Sequence, residues 1–270
     1  MTWTLPTDNR ELSQWQAIAR NEIVPSPEPS SADQRFAAEN LLHSAYAAYP
    51  LHPEIARTLA SRVEATCRKD CDRLIANTRL FLALPYALSG DLVKARAEAR
   101  VEPGVDDAAL LTLIAASMHD EMGQSALALQ LFEQVERLQP STNKAELYAQ
   151  QADALFALER FVEATVRARG AAAASKLDHE MRIVSCLIAW SAQHLLGKQD
   201  ANSKQCILQS LAQLPDGTRL QWSFEGMRRA LMTGATPFET ASPILDLTNA
   251  LDLPITKQTG ANVAQILETR

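Results

Sequence analysis

The four cysteines are the residues of this chain best suited to covalent or metal chemistry, and their spacing limits what they can do. Cys67 and Cys71 lie four positions apart, which on a helix puts both thiols on one face, where paired thiolates can bind a metal. A structural zinc site needs a second pair of ligands, and no cysteine or histidine pair stands nearby in the sequence. Both are therefore read as small packing thiols. Cys186 and Cys206 fall on consecutive expected helices and could face one another, and they too are read as packing. Four scattered cysteines do not make a disulfide framework, which agrees with a reducing, cytoplasmic setting.

The histidines are isolated. His119 is followed by Asp120 and Glu121, but no second histidine comes four residues on, so the His-Glu-x-x-His metalloprotease pattern is missing. His43, His52, His179 and His194 have no partners at ligand spacing. There is no Gly-x-Ser-x-Gly elbow and no Gly-x-x-x-x-Gly-Lys loop. The expectation is a non-enzymatic protein with no catalytic residue, no metal and no cofactor.

Charge narrows the partners. The net charge is -6, and the first hundred residues are balanced, so the acidic excess lies in the remainder. No Lys/Arg-rich run supplies the electrostatic footprint of nucleic-acid binding. The longest apolar run, 80–88, is broken by Pro85 and is too short to cross a bilayer. No basic start leads into an apolar stretch, so no secretory signal is expected. Neither nucleic acid nor membrane is an expected partner, which leaves a protein or peptide.

These residues must be carried by helices. The composition is 47% hydrophobic and only 6% aromatic, dominated by Ala and Leu, with few alternating Val/Ile/Thr runs, so almost no strand is expected. Residues 9–22 read as an amphipathic helix with Leu12, Trp15 and Ile18 on one face. The Pro/Ser linker at 25–31 ends it, since three prolines in five residues cannot continue a helix. Ser31 and Gln34 then form a capping-box pattern opening a helix that Pro50 stops. A second helix is expected over about 53–72.

After it the chain repeats itself. Gly90 lies over Gly123 at an offset of 33, and Ala95, Ala128 and Ala164 align at offsets of 33 and 36. In each stretch one helix leads to a turn and a second returns. Leu80, Ala83 and Tyr86 come before Gly90; Leu111, Ala115, Ala116 and His119 come before Gly123; Tyr148, Ala152 and Leu155 come before Glu159-Arg160. The 109–140 stretch closes with Pro140. A period near 34 residues marks a unit that buries its apolar face only by stacking.

These residues resemble the tetratricopeptide repeat, with its small residue on the first helix, Gly at the turn, Ala and an aromatic on the second, and a closing Pro. The resemblance spans about 100 residues. It implies an all-α, antiparallel helix-pair solenoid with helical caps at both ends. The expected organisation is an N-terminal amphipathic helix at 1–24, the linker at 25–31, a helical pair at 32–75, three repeat-like units at 76–172, and a degenerate repeat and cap at 173–270. Within the last part, 218–233 is read as one helix.

The resemblance also implies a binding groove lined by the first helix of each unit: Asn77, Leu80, Leu84 and Leu88, then Leu110, Leu113, Ser117 and Glu121, then Glu146, Ala149, Asp153 and Phe156. This face is apolar at one end and acidic at the other, and suits an apolar segment flanked by basic residues. It lacks the Lys/Arg/Asn set with which some members of that family clamp a C-terminal carboxylate. The alternative for some of these leucines is packing against the N-terminal helices. Leu12, Trp15 and Ile18 are expected to dock on the groove or on a partner. An adaptor or scaffold is the function expected, with a chaperone for an apolar segment, or a ligand-sensing regulator or enzyme with a scattered pocket, as alternatives.

Overall fold

A computed structural model describes residues 31–268 except 68–70, 103, 139–143, 176–177 and 235. The expected helix at 1–24, with Leu12, Trp15 and Ile18, and the linker up to residue 30 lie outside the described residues. Among those described, secondary structure is helical throughout, apart from one isolated bridge between Thr218 and Ile255. The all-α expectation holds. No helix among them is long and apolar enough to cross a membrane.

The chain divides into two compact units between Met122 and Gly123. The division falls inside the expected three-repeat block, at the turn of its best-fitting unit. The first unit contains α1 (Ser31–Ala48), α2 (Pro53–Ser61), α3 (Val63–Thr66), α4 (Asp72–Ser89), α5 (Leu92–Ala99) and α6 (Asp107–Asp120). The single helix expected over 53–72 is broken. Cys67 adopts an extended conformation (φ -117°, ψ 118°) after α3 and is joined to Cys71, just ahead of α4, by a disulfide. Breaking there lets α2, α3 and α4 each pack against α1. Pro85, in contrast, does not interrupt α4, which runs through it to Ser89.

The second unit contains α7 (Ser125–Leu138), α8 (Lys144–Ala157), α9 (Phe161–Ala174), α10 (His179–Leu195), α11 (Ala201–Leu211), α12 (Glu225–Thr233), α13 (Phe238–Leu251) and α14 (Lys257–Glu268). Helix α8 packs on α9, α9 on α10 and α10 on α11, while the first helices of the two pairs, α8 and α10, also touch. Ala152, Ala164, Ala168 and Ala171 are fully buried, and their small side chains allow these close helix approaches. Ala128 is likewise fully buried. Ala116 is only half-buried.

One turn geometry recurs along the chain. Residues 90, 123, 159 and 197 all have positive φ, at 80°, 67°, 59° and 68°, so they are spaced by 33, 36 and 38 positions. At three of them the hydrogen bonds are the same. Gly90 N–H donates to Ala87 C=O and Asp91 N–H to Tyr86 C=O; Glu159 and Arg160 repeat this toward Phe156 and Leu155, and Gly197 and Lys198 toward His194 and Gln193. This is the left-handed close of a helix, which satisfies its last carbonyls and favours glycine. Glu159 takes the same conformation without being glycine, at a cost of order 1 kcal/mol.

The C-terminal part departs from the sequence reading. Residues 218–224 are not helical, because the backbone of 217–218 pairs with Ile255 through two hydrogen bonds of 2.7 Å. Helix begins only at Glu225. Then α12 packs on α8, α13 on α10 and α14 on α11. The segment thus covers the helical pairs along their sides rather than only closing an end.

The cysteines also depart from expectation. Cys186 on α10 and Cys206 on α11 form a second disulfide, and no cysteine is free. The argument from scattered cysteines to a reducing compartment therefore fails, since pairing depends on which helices are neighbours and not on spacing in sequence.

Candidate interaction face

Helix α8 is enclosed by α7, α9, α10 and α12. An apolar surface on every side is what such a position requires, and residues 151 to 156 are buried without interruption. Of the groove positions expected on this helix, Ala149, Asp153 and Phe156 are buried and Glu146 is half-buried. The Phe156 ring meets Phe161 edge-on, with centroids 5.3 Å apart. These three side chains therefore do not line an open groove. The physical reason is that α8 is packed by four helices, among them α12, a cover that the repeat pattern does not foresee.

The eight expected positions in the first unit divide similarly. Leu84, Leu110 and Ser117 are buried, Asn77, Leu80, Leu88 and Glu121 are half-buried, and Leu113 is exposed. The alternative of packing against the N-terminal helices holds for α4, which contacts α1, α2 and α3. Glu121 is not a free acidic surface group, for its carboxylate receives the Arg73 guanidinium at 2.6 Å. The phenol of Tyr46 is held well above its ordinary range, first by burial and then by the nearby Glu121 charge. The expected acidic end is thus ion-paired at Glu121 and buried at Asp153.

A polar link fixes α7, α8 and α9 together. The Glu136 carboxylate on α7 accepts from Gln151 Nε2 on α8 at 3.0 Å and from Arg167 Nη1 on α9 at 3.2 Å. Arg167 also lies over the Tyr148 ring, 4.9 Å from its centroid. Burial pushes the Glu136 carboxyl upward, but the Gln151 and Arg167 hydrogen bonds outweigh it and hold the group below its ordinary value.

The covering helix has a distinct pattern. Phe224, Met227 and Leu231 are buried at i, i+3 and i+7, and α12 packs against both α8 and α13. Arg228 and Arg229 stand beside these apolar residues. Arg228 pairs with Asp252 and, at 3.6 Å, with Glu225. Arg229 runs across the turn at Gly123, where a Cβ would lie 2.9 Å from its guanidinium nitrogen. Gly123 is favoured by its positive φ, and a larger residue there would have to displace the end of the Arg229 side chain. An apolar segment with basic neighbours is the partner chemistry expected from the sequence, and α12 has that composition. The signal was present in Phe224, Met227 and Leu231, but it was absorbed into a longer expected helix.

No group of three His, Cys, Asp or Glu residues comes together in a metal-holding arrangement among the described residues. What the described residues define is an all-α protein in which helical pairs are covered by helices of their own chain. No family model, curated protein or solved structure matches it.

Proposed function

We propose that this is a non-enzymatic helical-repeat protein that binds an amphipathic helix of a partner protein, with apolar anchors at i, i+3 and i+7 and adjacent arginines. The single observation that carries this reading is α12. It packs on the first helix of a repeat-like pair with Met227 and Leu231 buried and Arg228 and Arg229 beside them. Helix-in-groove recognition uses this arrangement of anchors. The left-handed turns at 90, 123, 159 and 197 support a tetratricopeptide-like repeat beneath it, and the own-chain helix acts as a resident ligand that a partner helix replaces.

The test uses Leu231→Asp, which removes an anchor from α12, and a labelled peptide of residues 222–234 followed by fluorescence anisotropy. The variant is expected to bind the peptide saturably, and more tightly than the unaltered protein, because its own α12 no longer competes. Circular dichroism confirms that the remaining helices persist, and Leu231→Ala serves if the charged variant does not fold. Absence of saturable binding to a folded variant overturns the proposal.

A further inference from the structure

Beside the start of α10 the second unit holds a cavity of about 330 Å³, within the size range of small-ligand sites. Its apolar wall is formed by Met181 and Val184 from α10, and by Leu220 and Trp222 from the non-helical segment before α12. Gln221 and two carboxylates, Asp178 and Glu180, complete the described lining, and no lysine, arginine or histidine among the described residues contributes to it.

We infer that this cavity is a binding site for an organic cation, either a free quaternary ammonium compound or the lysine or arginine side chain of a polypeptide. Helix capping accounts for only part of the acidic lining. One oxygen of Asp178 accepts from the Met181 N–H at 2.9 Å, and Glu180 receives a long 3.4 Å contact from the Gln221 N–H. Neither carboxylate forms an ion pair among the described residues. Two full negative charges exceed the roughly half-charge of the α10 N-terminus, so the described lining is negative in sign. An anion is repelled there, and a neutral apolar guest strips water from carboxylates without replacing their partner.

Trp222 adds the second requirement of a cation site. Its indole is half-buried in the wall, and an aromatic face attracts a cation, most strongly for tryptophan. The indole Nε1–H is shielded from solvent and donates to no described group. A soft, weakly hydrated cation with an apolar shell satisfies the aromatic wall, the aliphatic wall and the carboxylates together. A hard metal ion would gain little from the aliphatic wall. The inference does not depend on the helix-binding reading, because neither α8 nor the anchors of α12 line the cavity.

The experiment is a titration of the full chain followed at the Trp222 indole N–H resonance, which Trp222→Phe identifies by its loss. Choline and N-acetyl-lysine methylamide are the cationic probes, neopentanol is the neutral isostere, and ionic strength is held constant with sodium chloride. Saturable shifts over the millimolar range are expected for both cations and not for neopentanol. Tighter binding of choline identifies a free small cation as the ligand, and tighter binding of the lysine derivative identifies a polypeptide side chain. Combined Asp178→Asn and Glu180→Gln, which retain the cap and the Gln221 contact, should weaken binding about tenfold or more. No saturable shift with either cation, an equal shift with neopentanol, or undiminished binding in a folded double variant overturns the inference. If the double variant does not fold, the comparison of cations with neopentanol on the unaltered protein decides alone.

Discussion

Asp200 is the clearest place to weigh charge against burial. Its carboxylate caps α11 by accepting from the Ser203 N–H at 3.1 Å, and it also accepts from Ser203 Oγ at 2.8 Å and from the Arg169 guanidinium of α9 at 2.9 Å. The side chain is only 4% exposed, whereas that of Arg169 is 57% exposed. Replacing Asp200 with Ala removes an N-cap worth about 1 kcal/mol. The ion pair adds about 1 kcal/mol or less, since Arg169 regains water when its partner is lost. The expected cost is therefore about 2 kcal/mol. Asp200→Asn keeps the cap and should cost only about half of that.

The pH dependence follows from direction. Burial raises the Asp200 carboxyl, but the Arg169 and Ser203 hydrogen bonds outweigh it and hold the group below its ordinary value. A depressed carboxyl stabilises the fold above the unfolded value of about 3.9, and that contribution is lost as pH falls through the folded value. The stability gap between Asp200 and Asp200→Asn should thus persist at neutral pH and close between about pH 4 and the folded value below it. Urea unfolding by tryptophan fluorescence measures it, with Trp3 and Trp15 replaced by Phe so that Trp190 and Trp222 report on the second unit. A cost for Asp200→Ala below about 0.5 kcal/mol, or a gap that does not close in acid, refutes the reasoning.

Two further predictions concern packing and covalent ties. Ala128 is fully buried, so Ala128→Leu should overpack α7 and cost about 1 to 3 kcal/mol in denaturant; an unchanged midpoint means that the site has spare volume. Disulfide Cys186–Cys206 closes a loop with a sequence separation of 20, against 4 for Cys67–Cys71. Replacing the first pair with Ser should therefore cost about 3 kcal/mol, and replacing the second clearly less. Peptide mapping of the alkylated, unreduced protein should recover both bonds, and free thiols at all four positions would contradict the pairing.

The repeat itself was legible because its determinants are local. Gly90, Gly123 and the aligned alanines act within one helical pair, so their spacing reports the turn period directly. Glu159 hid its membership, since a glutamate gives no sign of left-handed backbone and only the surrounding helices hold it there. The pairing of Cys186 with Cys206 and the cover on α8 are non-local. Whether Ala149 and Phe156 face solvent or core depends on how the neighbouring helices, residues 225–233 among them, pack around α8, and no periodicity within 144–157 carries that information. The Trp222 wall was missed for a different reason. Leu220, Trp222 and Phe224 alternate at a two-residue period that does not suit a helix. The four-residue step from Leu220 to Phe224 was joined to Met227 and Leu231 as one helix, whereas the backbone of 217–218 pairs with Ile255.

The position of α12 in the chain also sets an order of events during synthesis. Helix α8 ends at Ala157 and its cover begins at Glu225, 68 residues later. At about 5 to 20 residues per second, the ribosome needs roughly 3 to 14 seconds to supply that cover once α8 has been made. Helices themselves form in microseconds, so α7, α8 and α9 have time to associate while one side of α8 is still uncovered. During that interval the nascent chain presents an apolar surface that the finished protein keeps inside. The second unit is thus most open to capture, by a helper or by a neighbouring nascent copy, before residues 225–233 have left the ribosome.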